Sequence, residues 1–315
     1  MTALVIGCGV SGLSSGIRLL EAGIPTEIWT REPALKTTSS VAAAFWYPYK
    51  VYPAELILTW AEATYNELSR LADTPSSGVT MRESLEIFPD STPDPWWSGI
   101  VSSFRPATAD ELPVGYADGC AFYSPIAEMP IYLTYLQQRF EELGGKVQLR
   151  PVDSIAQVLD YHDAVVNCAG LGARQLIGDP TMIPIRGQIV RVSQVGVERL
   201  LIDERNSDGL TYIVPRSNDC VLGGTSESGA ESTEPQALTA ADILTRCISR
   251  EPRLVDAMVL EHRVGLRPGR PAVRVEIDPN VSKTLLVHNY GHGGAGVTLS
   301  WGCADRVTEL VLRHR

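Results

Sequence analysis

The chain has 315 residues, 44% of them hydrophobic and 20% charged, with a formal net charge of -10. That length is enough for one large domain or two interleaved ones around a sizeable core. The acidic balance argues against a nucleic-acid groove, which needs a basic face, and no apolar run approaches the roughly 20 residues of a membrane-spanning helix.

The opening segment "MTALVIGCG" has no basic leader and runs straight into a strand, Ala3 to Gly7, so a cytoplasmic protein is expected. Ser11 to Ala22 reads as a helix with Leu13, Ile17 and Leu20 on one stripe; Gly23 stops it, and Thr26 to Trp29 forms a second strand. This is a parallel β-α-β crossover of about 30 residues. "FWYPYKVYP" (Phe45 to Pro53) is aromatic and broken by proline, the composition of a functional loop. A helix is predicted from Ala54 to about Ala72, and Pro89 to Pro113 reads as irregular surface. A further α/β unit begins at Pro130, where Gly144 and Gly145 stop the helix before a strand at Lys146 to Arg150. "DAVVNCAG" (Asp163 to Gly170) is a buried strand closed by glycine. "GQIVRV", "TYIVP" and "CVLGGT" follow as antiparallel strands. The chain finishes on a strand at Leu285 to Val287, a glycine loop, and a helix beginning near Gly296. The six cysteines (8, 120, 168, 220, 247 and 303) make no Cys-x-x-Cys pair, so reduced core thiols are expected and no metal site.

Two loops stand out chemically. "GCGVSG" places Gly7, Gly9 and Gly12 between a strand and a helix, flanking Val10 and Ser11. The first glycine permits the tight turn, the second lets backbone approach a pyrophosphate, and the third allows close helix–strand packing. An acidic residue normally closes the second strand to hold ribose hydroxyls. Here Trp29-Thr30-Arg31 stand there, and Glu32 is the nearest carboxylate. The second loop, "NYGHGGAGVT", strips side chains from a helix start at the other end of the chain.

"HNYGHGGAGVTLSWGCA", "VGLRPGRPAVRVE", "VAAAFWYPY" and "TYIVP…LGGT" together resemble the D-amino-acid oxidase family of flavoenzymes, from "VIGCGVSGLSS" to the last helix. The resemblance implies FAD as cofactor, which motif spacing alone does not separate from NAD. The expected fold is α/β: a doubly wound, Rossmann-like FAD-binding domain (1–50, 120–185 and 265–315) interwoven with a β-rich substrate domain of mixed or antiparallel sheet (51–119 and 186–264).

The implied roles follow residue by residue. Arg267 in "GLRP" matches the arginine that grips the substrate α-carboxylate and borders the cofactor, Tyr212 the tyrosine that reaches the same carboxylate, and Gly294 the glycine whose carbonyl accepts from the amine. Thr37, Thr38 and Ser39 match a hydroxyl cluster near the pyrophosphate. Val152 matches a backbone contact to adenine, and Ala169 with Gly170 a loop over the dinucleotide. Gly293, Gly296, Val297 and Thr298 match the helix start at the flavin edge, where free N–H groups stabilise negative charge. His292 in that loop reads as a structural hydrogen-bonding residue. The implied chemistry is hydride transfer from the α-carbon to flavin, then imine hydrolysis to an α-keto acid and ammonia, with O2 reduced to hydrogen peroxide. No side-chain acid or base is expected; positioning carries the catalysis. A homodimer is a family tendency.

The chain departs from the family in places. Asp208 stands where vertebrate members carry a lid tyrosine. Tyr47 replaces a glutamine in the aromatic loop, and Tyr49 is retained. Arg205 stands at one of two arginine positions of the D-aspartate oxidases, but the other is Ser226. Neutral D-amino acids are therefore favoured over D-aspartate or D-glutamate, and a basic side chain beside Asp208 is a further option. The rival readings are a glycine/sarcosine-type oxidase and, from another class, a flavin-binding protein without turnover.

Overall fold

The computed structural model describes residues 1–314. In chain order the first half contains β1 (Ala3–Ile6), α1 (Val10–Glu21), β2 (Thr26–Thr30), α2 (Ala54–Leu71), β3 (Val79–Phe88), β4 (Ser102–Pro106), β5 (Asp118–Ala127), α3 (Met129–Glu142), β6 (Lys146–Leu149), β7 (Ala164–Asn167) and α4 (Ala173–Leu176). The second half contains β8 (Ile183–Ser193), β9 (Leu200–Asp203), β10 (Thr211–Pro215), β11 (Asp219–Gly223), β12 (Glu227–Ser228), α5 (Ala237–Arg250), β13 (Val259–Gly269), β14 (Arg274–Ile277), β15 (Leu285–Tyr290) and α6 (Gly296–Leu312).

Two sheets result. The six-stranded sheet runs β14-β15-β7-β1-β2-β6, parallel except for the β14–β15 pair. Its central strands, "ALVI" and "AVVN", are buried along their whole length, as continuous apolar runs covered on both faces must be. Helices α1, α3 and α6 close one face. There the Ser14 hydroxyl reaches the Ser300 carbonyl at 3.1 Å, and the Trp301 indole N–H donates to Tyr132 at 2.8 Å. Burying these two rings without orphaning their polar atoms is what lets α6 pack so tightly.

The larger sheet runs β12-β8-β11-β10-β9-β3-β5-β4, with β13 also paired to β8. It is antiparallel apart from the β3–β9 pair. The predicted antiparallel strands form, and the mixed α/β fold class holds. The segment 89–113 differs from its irregular reading. Residues Ser102–Pro106 form an edge strand against β5, interrupted by a register shift that the Pro- and Ser-rich flanks accommodate. Helix α5, which places Ala240, Ile243 and Cys247 at helical spacing against the larger sheet, was not among the predicted elements. Most of β5, within 120–185, and the last part of β13, from Gly265 onward and so within 265–315, belong to the larger sheet. All six cysteines are buried and free. No helix among the described residues is long and apolar enough to cross a membrane.

Candidate active site

Between the two sheets lies a cleft of about 640 Å³. Its first wall is the β1–α1 turn. Gly7 takes φ +104°, left-handed backbone that a β-carbon resists. A β-carbon on Gly12 would come 1.9 Å from the Gly7 carbonyl oxygen, so only glycine lets α1 leave the strand this closely. The α1 N-terminus has no side-chain cap and no acidic residue in its first turn. The Ser39 hydroxyl instead accepts from the Val10 N–H at 3.1 Å, which pins the hydroxyl segment beside the turn.

Gly7, Gly9, Val10, Ser11, Glu32, Thr37, Thr38, Ser39, Val152, Ala169 and Gly170 all line this cleft, as do Gly293, Gly294, Gly296 and Val297 at the start of α6. Gly12 does not; it lies beneath the turn. Thr298 also lies outside the lining. It is buried and its hydroxyl is bonded twice to the aromatic loop, donating to the Tyr47 carbonyl at 3.0 Å and accepting from the Tyr47 N–H at 3.1 Å. Its side chain thus anchors the loop to α6. His292 lines the cleft, with Nε2 3.0 Å from Asn289 Oδ1, and full burial pulls its pKa down to about 4. The ring is neutral at physiological pH, in keeping with a structural role.

The opposite wall comes from the larger sheet. Arg267 on β13 and Tyr212 on β10 meet in the cleft with Tyr47 and Tyr49 from the aromatic loop. Arg267 Nη1 donates to the Thr225 carbonyl at 3.0 Å, and no carboxylate among the described residues pairs with it. Room for this clamp is made by two glycines the sequence reading did not identify. A β-carbon on Gly187 would sit 2.3 Å from Arg267 Nη1, and one on Gly223 would sit 1.9 Å from the Tyr212 ring. Burial pushes the Tyr212 phenol pKa up, opposed by the neighbouring Arg267 charge. The phenol therefore stays protonated and can donate. A half-buried guanidinium without a carboxylate, beside a protonated phenol, has the charge and donors that suit a carboxylate.

Arg205 is not in the cleft lining. It is exposed, with its guanidinium 4.9 Å from the Phe88 ring. Asp208 is also exposed and lies 3.4 Å from Arg250. Neither supplies a cleft charge in this arrangement. Ser226 borders a smaller cavity of about 70 Å³ that shares Arg267, Tyr49 and Gly294 with the main one.

The cleft fits FAD. It is elongated and joins two uncapped helix N-termini, with the glycine cradle at one and the glycine loop at the other. The Arg267–Tyr212 clamp adjoins the α6 end through Gly294.

Comparison with known proteins agrees with this geometry. A family described as FAD dependent oxidoreductase matches residues 2–310. A D-amino-acid oxidase of Rubrobacter xylanophilus is 53% identical over 98% of this chain and 95% of its own length. A D-aspartate oxidase of Homo sapiens is 36% identical over 98% of this chain and 93% of its own. Among solved structures, glycine oxidase from Geobacillus kaustophilus aligns with a TM-score of 0.82 at 19% identity, covering 99% of this chain and 94% of that one, a likeness of fold.

Proposed function

The chain belongs to the FAD dependent oxidoreductase family, and from that premise we propose that it oxidatively deaminates D-amino acids with neutral side chains. The observation that carries this reading is the unpaired Arg267 guanidinium beside the Tyr212 phenol, both facing a FAD-sized cleft.

The residues that would hold FAD are the Gly7–Gly12 turn, Glu32, the Thr37–Ser39 segment, Val152, Ala169 with Gly170, and the Gly293–Thr298 helix start, reached by Thr298 through its backbone. FAD, when bound, supplies the two-electron acceptor. The chain's own part is placement. Arg267 takes the α-carboxylate bidentately and Tyr212 donates to it, while the Gly294 carbonyl accepts from the α-amine. These contacts hold two substituents of the α-carbon, the carboxylate and the amine; with the side chain placed against the adjoining wall as the third, the single α-hydrogen faces the cofactor in only one enantiomer. Phe45, Tyr47, Ile202 and Leu210 line the adjoining wall with mostly apolar surface that excludes water. The absence of Arg205 from the lining supports neutral over acidic side chains, since a second carboxylate would have no cationic partner.

The net reaction proposed is D-amino acid, O2 and water to α-keto acid, ammonia and hydrogen peroxide. The reading extends to a cytoplasmic homodimer, and to a division of the chain by sheet in which β5 and β13 go with the substrate domain. Purified flavin-loaded protein should lose its yellow colour with D-alanine in the absence of oxygen and keep it with L-alanine. Retention of colour with D-alanine, or equal loss with both, sinks the reading.

A further inference from the structure

Tyr47 lines the cleft, yet its hydroxyl points to an acidic pair, the buried Glu86 and the partly exposed Glu204. Oη lies 2.7 Å from Glu86 Oε1 and 2.9 Å from Glu204 Oε2. Glu86 sits on β3, 1% exposed, and its second oxygen, Oε2, is buried without a hydrogen-bond partner. No lysine, arginine or histidine among the described residues forms an ion pair with Glu86 or Glu204, although every other strongly buried carboxylate on β9 or β11 has one. Two carboxyl groups sharing one phenol, with no cation in ion-pair contact and Arg205 acting only through its charge, is an arrangement that folding alone does not favour.

Counting protons decides the charge. A phenol has one hydrogen to donate and can accept another bond at its oxygen. With both carboxyls ionised, one of the two short contacts would be lone pair against lone pair. Both contacts are hydrogen bonds only in the state in which one carboxyl carries a proton and donates to Tyr47 Oη while the phenol donates to the other, the state favoured below about pH 7. The trio then holds a single negative charge directly behind the cleft wall.

We propose that the Glu86–Tyr47–Glu204 trio is the side-chain selectivity element of this cleft, a negative wall that turns away substrates with an acidic side chain. The inference rests on the reading of the cleft as an amino-acid site and names the substrate class it disfavours. The wall stands close to the clamp. Phe45 bridges the two, its ring centroid 6.1 Å from that of Tyr47 and 5.5 Å from that of Tyr212. A substrate anchored by its α-carboxylate at Arg267 and Tyr212 extends its side chain toward this surface. Tyr47 and Glu86 are thus specificity and positioning residues, outside the chemistry of bond breaking.

The wall is also graded by pH. Burial raises the Glu86 pKa to about 7, helped by the Glu204 charge and opposed by the Tyr47 hydrogen bond and by Arg205. The groups facing it are Tyr47 from the aromatic loop, Glu204 and Arg205 after β9, and Cys120, its register partner on β5. Burial pushes Tyr47 and Cys120 upward, so both stay protonated near neutrality. As pH rises through about 7, Glu86 loses its proton and the wall goes from one negative charge to two. Discrimination against acidic side chains grows in that direction.

The test compares isosteric pairs, D-glutamine with D-glutamate and D-asparagine with D-aspartate, on the full-length flavin-loaded enzyme. The ratio of kcat/KM within a pair cancels the titration of the α-amine, which both members share. In the unsubstituted enzyme the amide-to-acid ratio should rise roughly tenfold from pH 6 to pH 8. In Glu86→Gln, which imitates the protonated acid, the ratio should stay at its low-pH value across the range. In Glu204→Gln it should fall about tenfold at pH 6. A ratio that is flat with pH in the unsubstituted enzyme, or unchanged by Glu204→Gln, overturns the proposal. A parallel titration of the flavin absorbance with glutaramate and glutarate reads the same selectivity without turnover, because neither has an α-amine to oxidise. Failure of D-glutamine and D-alanine to turn over would then remove the oxidase reading alone. Loss of the pH and Glu204→Gln effects in both formats would remove this one.

Discussion

The two ends of the cleft are built by opposite means. At the β1–α1 turn and the α6 start the wall is backbone: side chains are removed, and uncapped helix ends border the cleft, the arrangement we propose for the cofactor. At the larger sheet the wall is side chains. Arg267, Tyr212, Tyr47 and Tyr49 converge from β13, β10 and one loop. Glycines serve both ends, but in different senses. Gly12 clears space for a main chain, whereas Gly187 clears space for a guanidinium. A backbone site accommodates any ligand of the right shape and polarity, and a side-chain site can be retuned one substitution at a time. That division fits a fold that keeps one cofactor and varies its substrates.

The contrast predicts separable losses. Arg267→Ala should lower kcat/KM for D-alanine by roughly a thousandfold, because a carboxylate would then enter the cleft without its charged partner. Flavin absorbance and flavin affinity should change little. Near-normal kinetics in this variant would remove Arg267 from its assigned role. The opposite end gives the opposite signature. Gly12→Ala puts a β-carbon 1.9 Å from the Gly7 carbonyl oxygen, so α1 must shift away from the strand. Overpacking of this kind costs about 1–3 kcal/mol, and flavin binding should weaken by up to about a hundredfold. The flavin that remains bound should turn over D-alanine almost normally. A flavin titration checks this, and an unaltered dissociation constant would show that the turn does not hold the cofactor.

How much of each end was legible in the sequence follows from the same difference. The backbone end is written in local spacing. Gly7, Gly9 and Gly12 lie within one turn between a strand and a helix, and "HGGAGVT" does the same for α6, so short-range pattern was enough to locate both helix starts, while the flavin role of the second came from the family resemblance. Arg267 and Tyr212 were placed only through the family resemblance, because a lone arginine or strand tyrosine has no local signature. Gly187 and Gly223 escaped altogether: their importance depends on which side chain crosses over them from another strand. Thr298 was placed at the flavin edge by resemblance alone, and nothing local in the sequence announced that its hydroxyl fastens the Tyr47 backbone. The Glu86 cluster did have a signal. In "SLEIFP" one carboxylate interrupts an apolar run, flanked by buried Leu85, Ile87 and Phe88. A charge inside such a strand is buried as often as the strand is covered on both faces, and that depends on partners distant in sequence. The fold class was readable for a related reason: parallel β-α-β units announce themselves locally, while α5 and β4 pack on surfaces that only the assembled sheet creates.

The smallest predicted effect tests whether clearance at the substrate end matters as it does at the cofactor end. Gly187 lies on β8, paired with Gly265 of β13, and the Arg267 guanidinium crosses directly over it. A β-carbon there would come within 2.3–2.4 Å of Nη1, Nη2 and Cζ. Unlike the carbonyl above Gly12, this neighbour is the far end of a flexible side chain, and it can move. Gly187→Ala should therefore leave the flavin site and the fold intact and displace only the clamp. Misplacing a charged, bidentate contact without removing it costs less than deleting it, so the KM for D-alanine should rise about tenfold with kcat falling less. D-amino acids and non-oxidisable carboxylates should lose affinity alike, since both depend on the guanidinium. A variant with unchanged KM would mean that Arg267 reaches the carboxylate from another direction, and that Gly187 serves strand pairing alone. A variant that lost flavin as well would erase the distinction between the two ends, because one glycine would then be supporting both.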